Sequence, residues 1–169
     1  MGWFEDHAST YASIHSWSFA TSTAPTLAST IQTVADDERA YVESRLRDAV
    51  VIWLTTVRSD GQPQTSPVWF LWDGERFLIY SRPTSRKAPN IRGNPRVSLN
   101  LDGDAEGGDI ITIEGTAEID EQAPLANEVE TYVEKYREHI KRLGSEPEPF
   151  ARMYSTPIRI TPTRRRVYR

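Results

Sequence analysis

The sequence predicts a mainly β fold, a small antiparallel barrel of about six strands with helices packed around it. Asp60-Gly61 and Asp73-Gly74 each lie between runs of β-forming residues, and Asp-Gly in that setting predicts a tight hairpin turn. Residues 110–119 alternate between apolar and polar side chains, which is typical of a strand with one buried face. Short strands separated by turn signals at close intervals favour a barrel.

The first two thirds of the barrel can be assigned in chain order. Apolar residues at helical spacing predict a first helix over 36–48, with Asp36 or Asp37 as its N-terminal cap. A short helix is predicted over 88–92. Strands are predicted over 49–57, 63–72, 76–81, 94–101 and 110–119. We expect the first three strands to form a meander.

The last third of the chain carries the clearest helix signal. A helix over 121–143 is predicted from one apolar stripe, formed by Leu125, Val129, Tyr132, Val133, Tyr136, Ile140 and Leu143. This stripe indicates packing rather than chemistry. Gly144 is placed to end the helix, and residues 145–149 are predicted to be a linker. Residues 155–169 predict one or two strands broken by Pro162, because proline cannot donate to a strand ladder.

Residues 1–35 differ in composition from the rest of the chain. Residues 9–30 are rich in Ser, Thr and Ala and carry no charge, which predicts a weakly structured arm. The aromatic residues Trp3, Phe4, Trp17 and Phe19 favour an arm that packs on a groove or on a partner subunit, and an unstructured tail is the alternative. The chain is therefore divided into an arm over 1–35 and one domain over 36–169.

Composition excludes several classes of function. The 169 residues carry a net charge of −4 and no cysteine, so we expect no disulfide, no thiolate metal site and no nucleic-acid partner. No apolar run approaches the ~18 residues of a membrane span. The first residues lack a basic segment followed by an apolar one, so we expect a cytoplasmic protein without a membrane partner.

Hydrolytic and metal chemistry have no sequence support. His7, His15 and His139 are scattered and do not have the spacing of a metal site, so no metal is expected. The acidic loop over 102–109 lacks the ligand spacing of a calcium loop. The chain also contains no G-x-S-x-G and no P-loop motif.

A cluster of hydroxyl and basic groups follows the strand over 76–81. Its members are Ser81, Thr84, Ser85, Arg86 and Lys87. The N-terminus of the short helix that follows has free N–H groups, and arginine and lysine add positive charge beside it. The cluster is therefore a candidate phosphate site, with a solvated basic loop as the alternative.

The strand over 63–72 has a second unusual feature. Pro67 lies inside an apolar segment, so this strand is predicted to lie at an edge or to be locally open. Backbone groups near Thr65, Ser66 and Val68 would then be able to face a ligand. Trp69 and Trp72 would line a flat apolar slot, or would be buried in the core of a hairpin.

The segment over 79–101 resembles the FMN-binding split-barrel family of pyridoxamine 5′-phosphate oxidase. The matching residues are Tyr80-Ser81, Ser85-Arg86-Lys87-Ala88 and the segment over 94–99. The resemblance extends from about Asp37 to Arg169. It implies a six- to seven-stranded antiparallel split β-barrel with flanking helices, and a homodimer with the flavin at the subunit interface.

The resemblance also implies a set of cofactor-binding residues. Ser81, Arg86 and Lys87 match positions that contact the phosphate, and the strand segment from Thr65 to Trp69 matches the backbone that lies along the isoalloxazine ring. The full predicted set is Thr65, Ser66, Pro67, Val68, Trp69, Tyr80, Ser81, Ser85, Arg86 and Lys87. No catalytic residue is identified.

Two departures bear on which flavin is bound. The oxidase has a cation at each end of the strand over 65–70, whereas this chain has Thr65 and Phe70. The oxidase also has a C-terminal substrate motif with a histidine, and residues 161–169 contain none. The segments over 65–81 and 157–168 resemble the branch of the family that uses the deazaflavin coenzyme F-420.

The expected function is that of an F-420-dependent oxidoreductase that transfers a hydride to a small organic acceptor. An FMN-dependent oxidoreductase of the same fold is one alternative. The other is a non-enzymatic protein that binds flavin, haem or another tetrapyrrole.

Overall fold

The computed structural model describes residues 27–168, and it leaves out the side chains of residues 27–31, 33 and 34. The helices are α1 (Leu27–Asp48), α2 (Lys87–Gly93), α3 (Glu130–Arg142) and α4 (Pro147–Met153), with a 3₁₀ helix at Ala126–Glu128. The strands are β1 (Val51–Val57), β2 (Pro63–Trp69), β3 (Leu71–Trp72), β4 (Phe77–Ser81), β5 (Arg96–Leu101), β6 (Ile110–Ile119) and β7 (Thr156–Tyr168).

All seven strands belong to one antiparallel sheet with the order β2-β1-β5-β6-β7-β4-β3. The two strands at its ends, β2 and β3, are separated by a single residue, Phe70. The sheet therefore curls until its ends meet, which gives a split barrel. The predicted mainly β antiparallel fold with flanking helices is confirmed.

The predicted pairing of the first three strands in chain order is confirmed, but the middle strand is not continuous. β2 forms a ladder with β1, whereas β3 forms a ladder with β4, so the predicted strand over 63–72 is divided at Phe70. The Phe70 N–H donates to the Tyr136 hydroxyl (2.8 Å), and the Phe70 carbonyl lies 2.8 Å from the same hydroxyl. A side chain of α3 thus replaces the ladder at this residue, which a local sequence pattern does not reveal.

Pro67 lies on an edge strand, as its sequence position predicts. In the part of the chain that the structure describes, β2 stands at one end of the sheet order and pairs with β1 alone, with Pro67 opposite Trp53. Proline is tolerated at such an edge because no second strand requires its missing N–H. The free side of β2 is consequently open to the region beneath α3 and α4.

The main core fills the interior of the barrel. The predicted alternation of β6 is confirmed, since residues 111, 113, 115 and 117 are buried while residues 112, 114, 116 and 118 are half-buried or exposed. α1 covers one side of the barrel with Val42 and Leu46.

A second hydrophobic cluster lies outside the barrel and positions the candidate site. It joins the outer side of β4 to the 3₁₀ helix, α3 and α4, through Leu78, Tyr80, Ala126, Tyr132, Tyr136, Ile140, Phe150 and Ala151. Every residue of β4 is buried, because the barrel core covers one of its faces and this cluster covers the other. The strand therefore places Tyr80 and Ser81 beneath the 3₁₀ helix, α3 and α4.

The first helix begins earlier than its predicted cap. α1 starts at Leu27, so Asp36 and Asp37 lie inside the helix and do not cap it. Residues 1–26 of the predicted arm, including Trp3 and Trp17, lie outside the described residues. Helix α1 runs across the predicted boundary at residue 35. The division of the chain into an arm over 1–35 and a domain over 36–169 stays a prediction.

The predicted helix over 121–143 starts too early. Asp120 Oδ1 accepts the Gln122 N–H (3.2 Å), which makes a turn, and Val129 has an extended backbone, so α3 begins only at Glu130. Tyr132, Tyr136 and Ile140 are buried as the stripe predicts. The stripe is wrong at its two ends, where burial was predicted, because Leu125 and Leu143 are 36% and 61% exposed.

The region predicted to be a linker is partly helical. Pro147 lies in the first turn of α4, where a missing N–H costs nothing, and Phe150 and Ala151 bury the helix against α3. The last strand is one continuous element that contains Pro162 at a shift in register, opposite Gly115 of β6. A β-bulge accommodates the proline without ending the strand.

Candidate functional site

A cavity of about 430 Å³ lies between β2, β4, the loop after β4 and the two C-terminal helices. We call it the β2–β4 cavity. Its lining residues are Val51, Pro67, Val68, Trp69, Tyr80, Ser81, Arg82, Thr84, Ser85, Lys87, Tyr132, Leu143, Phe150 and Tyr154. It forms because the barrel splits at Phe70, which leaves the open edge of β2 facing the helices.

One end of the cavity is polar and carries a positive charge. The loop after β4 turns sharply, since the Ser85 N–H donates to the Arg82 carbonyl (2.9 Å) and the Ser85 hydroxyl accepts the Lys87 N–H (3.2 Å). The Lys87 side chain is half-buried, and burial lowers its pKa. Among residues 27–168, no carboxylate forms an ion pair with Lys87. This end can therefore receive an anionic group.

The other end is a wall of aromatic rings. Trp69 stacks on Tyr136 with ring centroids 4.7 Å apart and an interplanar angle of 4°, and on Phe150 at 5.3 Å. Phe150 stacks in turn on Tyr154 at 4.6 Å. Trp69 is consequently fixed in place by rings from α3 and α4. A flat, rigid apolar wall of this kind suits a planar ligand.

Arg82 connects the loop after β4 to the end of α4. Its guanidinium lies 5.0 Å from the centroid of the Tyr154 ring, and its Nη2 is 3.3 Å from the Tyr154 hydroxyl and 3.2 Å from the Met153 sulfur. The side chain is exposed. Arg82 thus closes part of the cavity rim with a second cation.

Tyr80 contributes its ring to the cavity but uses its hydroxyl elsewhere. The hydroxyl donates to the Pro124 carbonyl (2.7 Å), and burial raises the pKa of Tyr80 to about 12. A phenol with this pKa that already donates to the backbone is unsuited to proton transfer at neutral pH. Tyr80 is therefore a lining residue.

The structure brings together seven of the ten predicted cofactor-binding residues. Those that line the β2–β4 cavity are Pro67, Val68, Trp69, Tyr80, Ser81, Ser85 and Lys87. Thr65 lies away from it, on the outer face of the sheet, where its hydroxyl is 2.8 Å from that of Thr55. Ser66 and Arg86 are likewise absent from the lining.

Arg86 lines a different cavity of about 670 Å³, together with Arg58 and Asn90. We call it the second cavity. Asn90 is buried there, and its side-chain N–H group donates to the Thr56 hydroxyl (3.0 Å) and to the Gln64 carbonyl (3.3 Å). The predicted pairing of Arg86 with Lys87 at one phosphate therefore stays a prediction, because within one chain the two cations face different cavities.

Sequence reasoning missed the residues that α3 and α4 supply. Tyr132, Phe150 and Tyr154 line the cavity, yet they lie at least 45 residues beyond Lys87 in the chain. The sequence did contain one signal for Tyr132, because a tyrosine places a hydroxyl in an otherwise apolar stripe. The oxidase has a cation at the position of Phe70. In this chain Phe70 is fully buried and adds no charge to the cavity.

No group of three or more His, Asp or Glu side chains able to hold a metal ion occurs within residues 27–168. Over the same range, every helix is too short or too polar to cross a membrane.

Comparisons with known proteins agree with the fold. A family model described as pyridoxamine 5′-phosphate oxidase matches residues 39–166. Over 58 residues, 34% of this chain, the sequence is 40% identical to the pyridoxine/pyridoxamine 5′-phosphate oxidase of Aeromonas hydrophila subsp. hydrophila, and this match spans 28% of that protein's length.

Two solved structures show the same architecture. An F420 reductase superimposes with a TM-score of 0.56 at 25% identity, over 73% of this chain and 94% of that one. A conserved hypothetical protein from Mycobacterium tuberculosis superimposes with a TM-score of 0.61 at 28% identity, over 76% and 82% of the two chains. The family model matches residues 39–166, which is most of the chain. The chain therefore belongs to the pyridoxamine 5′-phosphate oxidase family of FMN-binding split barrels.

Proposed function

We propose that this protein is an oxidoreductase that binds the deazaflavin coenzyme F-420 in the β2–β4 cavity and reduces a small organic acceptor. The observation that carries the proposal is the presence, in one cavity, of a rigid aromatic wall and a half-buried lysine that forms no ion pair within residues 27–168. A planar coenzyme with an anionic tail has both of the features that this cavity can recognise.

The polar end fits the anionic tail. Lys87 supplies a point charge, and the hydroxyls of Thr84 and Ser85 supply donors beside it. Arg82 adds a guanidinium at the rim. These groups come from one tight loop, so they hold their positions without a ligand.

The apolar end fits the planar ring. Pro67 and Val68 expose the open edge of β2 to the cavity, and Trp69 stacks on both Tyr136 and Phe150. These residues would orient the ring and exclude water from one of its faces.

Within residues 27–168, the lining residues contain no carboxylate and no histidine. When bound, the reduced deazaflavin would supply the hydride, so the protein needs to bind and orient rather than to provide an acid–base pair. The absence of a catalytic dyad from the cavity lining is consistent with this division of tasks.

F-420 is favoured over FMN by two departures from the oxidase sequence, at positions outside the lining of the cavity in one chain. Thr65 and Phe70 replace the two cations of the oxidase, and each lost charge-assisted contact would weaken FMN by roughly 1.5–3 kcal/mol. The similarity to an F420 reductase supports the same choice. FMN remains the second candidate because the family model is that of pyridoxamine 5′-phosphate oxidase.

We also propose that the protein is a homodimer and that a second copy covers the outer face of β1 and β2. Trp53 is 37% exposed on this face, beside Pro67 on the neighbouring strand. Val51 and Pro67 belong to this face and also line the β2–β4 cavity. A partner seated there would therefore complete the ligand site.

Titration of the purified protein with F-420 and with FMN, followed by ligand fluorescence, tests the proposal. We expect micromolar or tighter binding of F-420 and weaker binding of FMN. Protein that is isolated yellow and releases FMN would favour the second candidate. No binding of either coenzyme at micromolar concentrations would contradict both.

A further inference from the structure

An arginine at the rim of the β2–β4 cavity carries a positive charge that no acidic side chain of the described residues neutralises. Arg82 lines the cavity, and its side chain is exposed. Among residues 27–168, no carboxylate forms an ion pair with its guanidinium. The charge of Arg82 is therefore available to an anionic ligand that reaches the rim.

The Arg82 guanidinium is held in position from both sides. Its backbone carbonyl accepts the Ser85 N–H (2.9 Å), which fixes the turn that carries it. The guanidinium lies 5.0 Å from the centroid of the Tyr154 ring, and that ring stacks on Phe150. A cation held over an aromatic face loses less freedom when it binds a ligand than a free side chain does.

The guanidinium also keeps donors free for a ligand. Its described contacts, to the Tyr154 hydroxyl and the Met153 sulfur, both involve Nη2, so Nε and Nη1 have no acceptor within residues 27–168. Arginine presents its N–H groups as a planar fork that matches the two oxygens of a carboxylate. Arg82 is thus suited to a carboxylate at the rim.

The two cations that line the cavity within residues 27–168 differ in exposure. Lys87 is half-buried, whereas Arg82 is exposed to solvent. Ser85 links them, because its N–H donates to the Arg82 carbonyl and its hydroxyl accepts the Lys87 N–H. An anionic chain that binds Lys87 and continues along this loop toward solvent therefore meets Arg82 next.

We propose that Arg82 is a specificity-determining residue that binds a carboxylate of the glutamyl chain at the outer end of the F-420 tail. This inference rests on the proposed function, since it requires the coenzyme to occupy the β2–β4 cavity. The tail of F-420 continues beyond its phosphate into a lactyl group and a chain of glutamates, whereas the tail of FMN ends at its phosphate. Lys87 serves either phosphate, but Arg82 has a partner only in the longer tail.

The test changes the charge of Arg82 and the length of the tail independently. F-420, a form of F-420 shortened to its phospholactyl group, and FMN are each titrated into the unsubstituted protein and into Arg82→Gln. We expect Arg82→Gln to weaken F-420 binding about three- to fivefold, as befits an exposed ion pair. Binding of the shortened form and of FMN should change by less than about 1.5-fold.

Two further measurements serve as controls. Arg47→Gln removes the same charge from an exposed arginine of α1 that lines neither the β2–β4 cavity nor the second cavity, and it should leave all three affinities unchanged. In the unsubstituted protein, raising the salt concentration to about 0.5 M should remove the preference for F-420 over its shortened form, because salt screens exposed charges. Thermal unfolding confirms that both variants are folded.

The outcomes separate this inference from the proposed function. Unchanged F-420 affinity in Arg82→Gln overturns the inference and leaves the proposed function standing. Equal losses for F-420 and its shortened form do the same, because they would show that Arg82 acts by holding Tyr154 in place. A preference for the long tail that persists at high salt also overturns the inference. If the unsubstituted protein binds FMN alone or neither coenzyme, the choice of F-420 is overturned together with the inference.

Discussion

Arg86 and Lys87 are adjacent in the chain, yet their side chains have different surroundings. Lys87 is half-buried in the β2–β4 cavity, whereas Arg86 is exposed in the second cavity. The two residues stand at the start of α2, where consecutive side chains point about 100° apart around the helix axis. Within one chain the two adjacent cations therefore face different cavities, and of the two it is Lys87 that lines the β2–β4 cavity.

Replacement of Lys87 should affect the coenzyme more than replacement of Arg86. We expect Lys87→Ala to weaken F-420 binding roughly ten- to a hundredfold, because a charge-assisted contact of about 1.5–3 kcal/mol is lost. Arg86→Ala serves as the control and should change the affinity by less than about threefold. Fluorescence titration gives both values, and thermal unfolding confirms that each variant is folded. Equal losses in the two variants would show that Arg86 reaches the tail as well.

The residues of the polar end could be predicted because they are local. Ser81, Ser85 and Lys87 lie within seven consecutive positions, so a strand followed by a tight loop brings them together. Tyr132 and Phe150 could not be predicted in the same way. Their place in the cavity depends on how α3 and α4 pack over β4, which is decided by contacts between distant parts of the chain.

At the scale of elements, β6 and β7 fit closely around Gly115. A Cβ added at this glycine would lie 2.9 Å from the Ile160 side chain and 2.9 Å from the Thr161 carbonyl. Gly115 stands opposite Pro162, where the register of the two strands shifts. Because Gly115 has no side chain, β7 can pair with β6 at the position where β7 contains Pro162.

Gly115→Ala should therefore destabilise the barrel. We expect the free energy of unfolding to fall by about 1–3 kcal/mol, because backbone at this position must shift to admit the methyl group. Urea denaturation measures the change. Gly93→Ala is the control, since a Cβ at Gly93 meets nothing within 4 Å, and it should leave stability unchanged or slightly raised. A neutral Gly115→Ala variant would show that the two strands are less tightly packed than described.

The elements differ in how far local sequence determined them. Asp60-Gly61 and Asp73-Gly74 form turns with the positive φ angles that the hairpin signal requires (85° at Gly61 and 98° at Gly74). The apolar stripe did predict the buried face of α3, but a stripe does not show where a helix starts. The division of the predicted strand at Phe70 was hidden for a related reason, because the Tyr136 hydroxyl that replaces the ladder lies 66 residues away.

At the scale of the whole molecule, the proposed dimer and the coenzyme site share one surface. Trp53 of β1 stands opposite Pro67 of β2, and Pro67 lines the β2–β4 cavity. The exposed side chain of Trp53 also donates from its indole N–H to the Asp102 carboxylate (2.8 Å), which fixes its orientation. A fixed, exposed tryptophan is typical of a protein–protein interface.

A charge at Trp53 should weaken both association and coenzyme binding. Light scattering after gel filtration should give twice the 19.2 kDa chain mass for the unsubstituted protein at micromolar concentration. Trp53→Glu should shift this mass toward the monomer and lower coenzyme affinity in parallel. Leu125→Glu, at an exposed apolar residue on a different surface, should do neither. A monomeric unsubstituted protein that still binds coenzyme tightly would contradict the shared surface.

The most direct measurement is a crystal structure of the protein with oxidised F-420. We predict density for the anionic tail beside Lys87 and Ser85, and for the planar ring against Pro67, Val68 and Trp69. Density in the second cavity beside Arg58 and Arg86, or an empty β2–β4 cavity at saturating F-420, would contradict the proposed site.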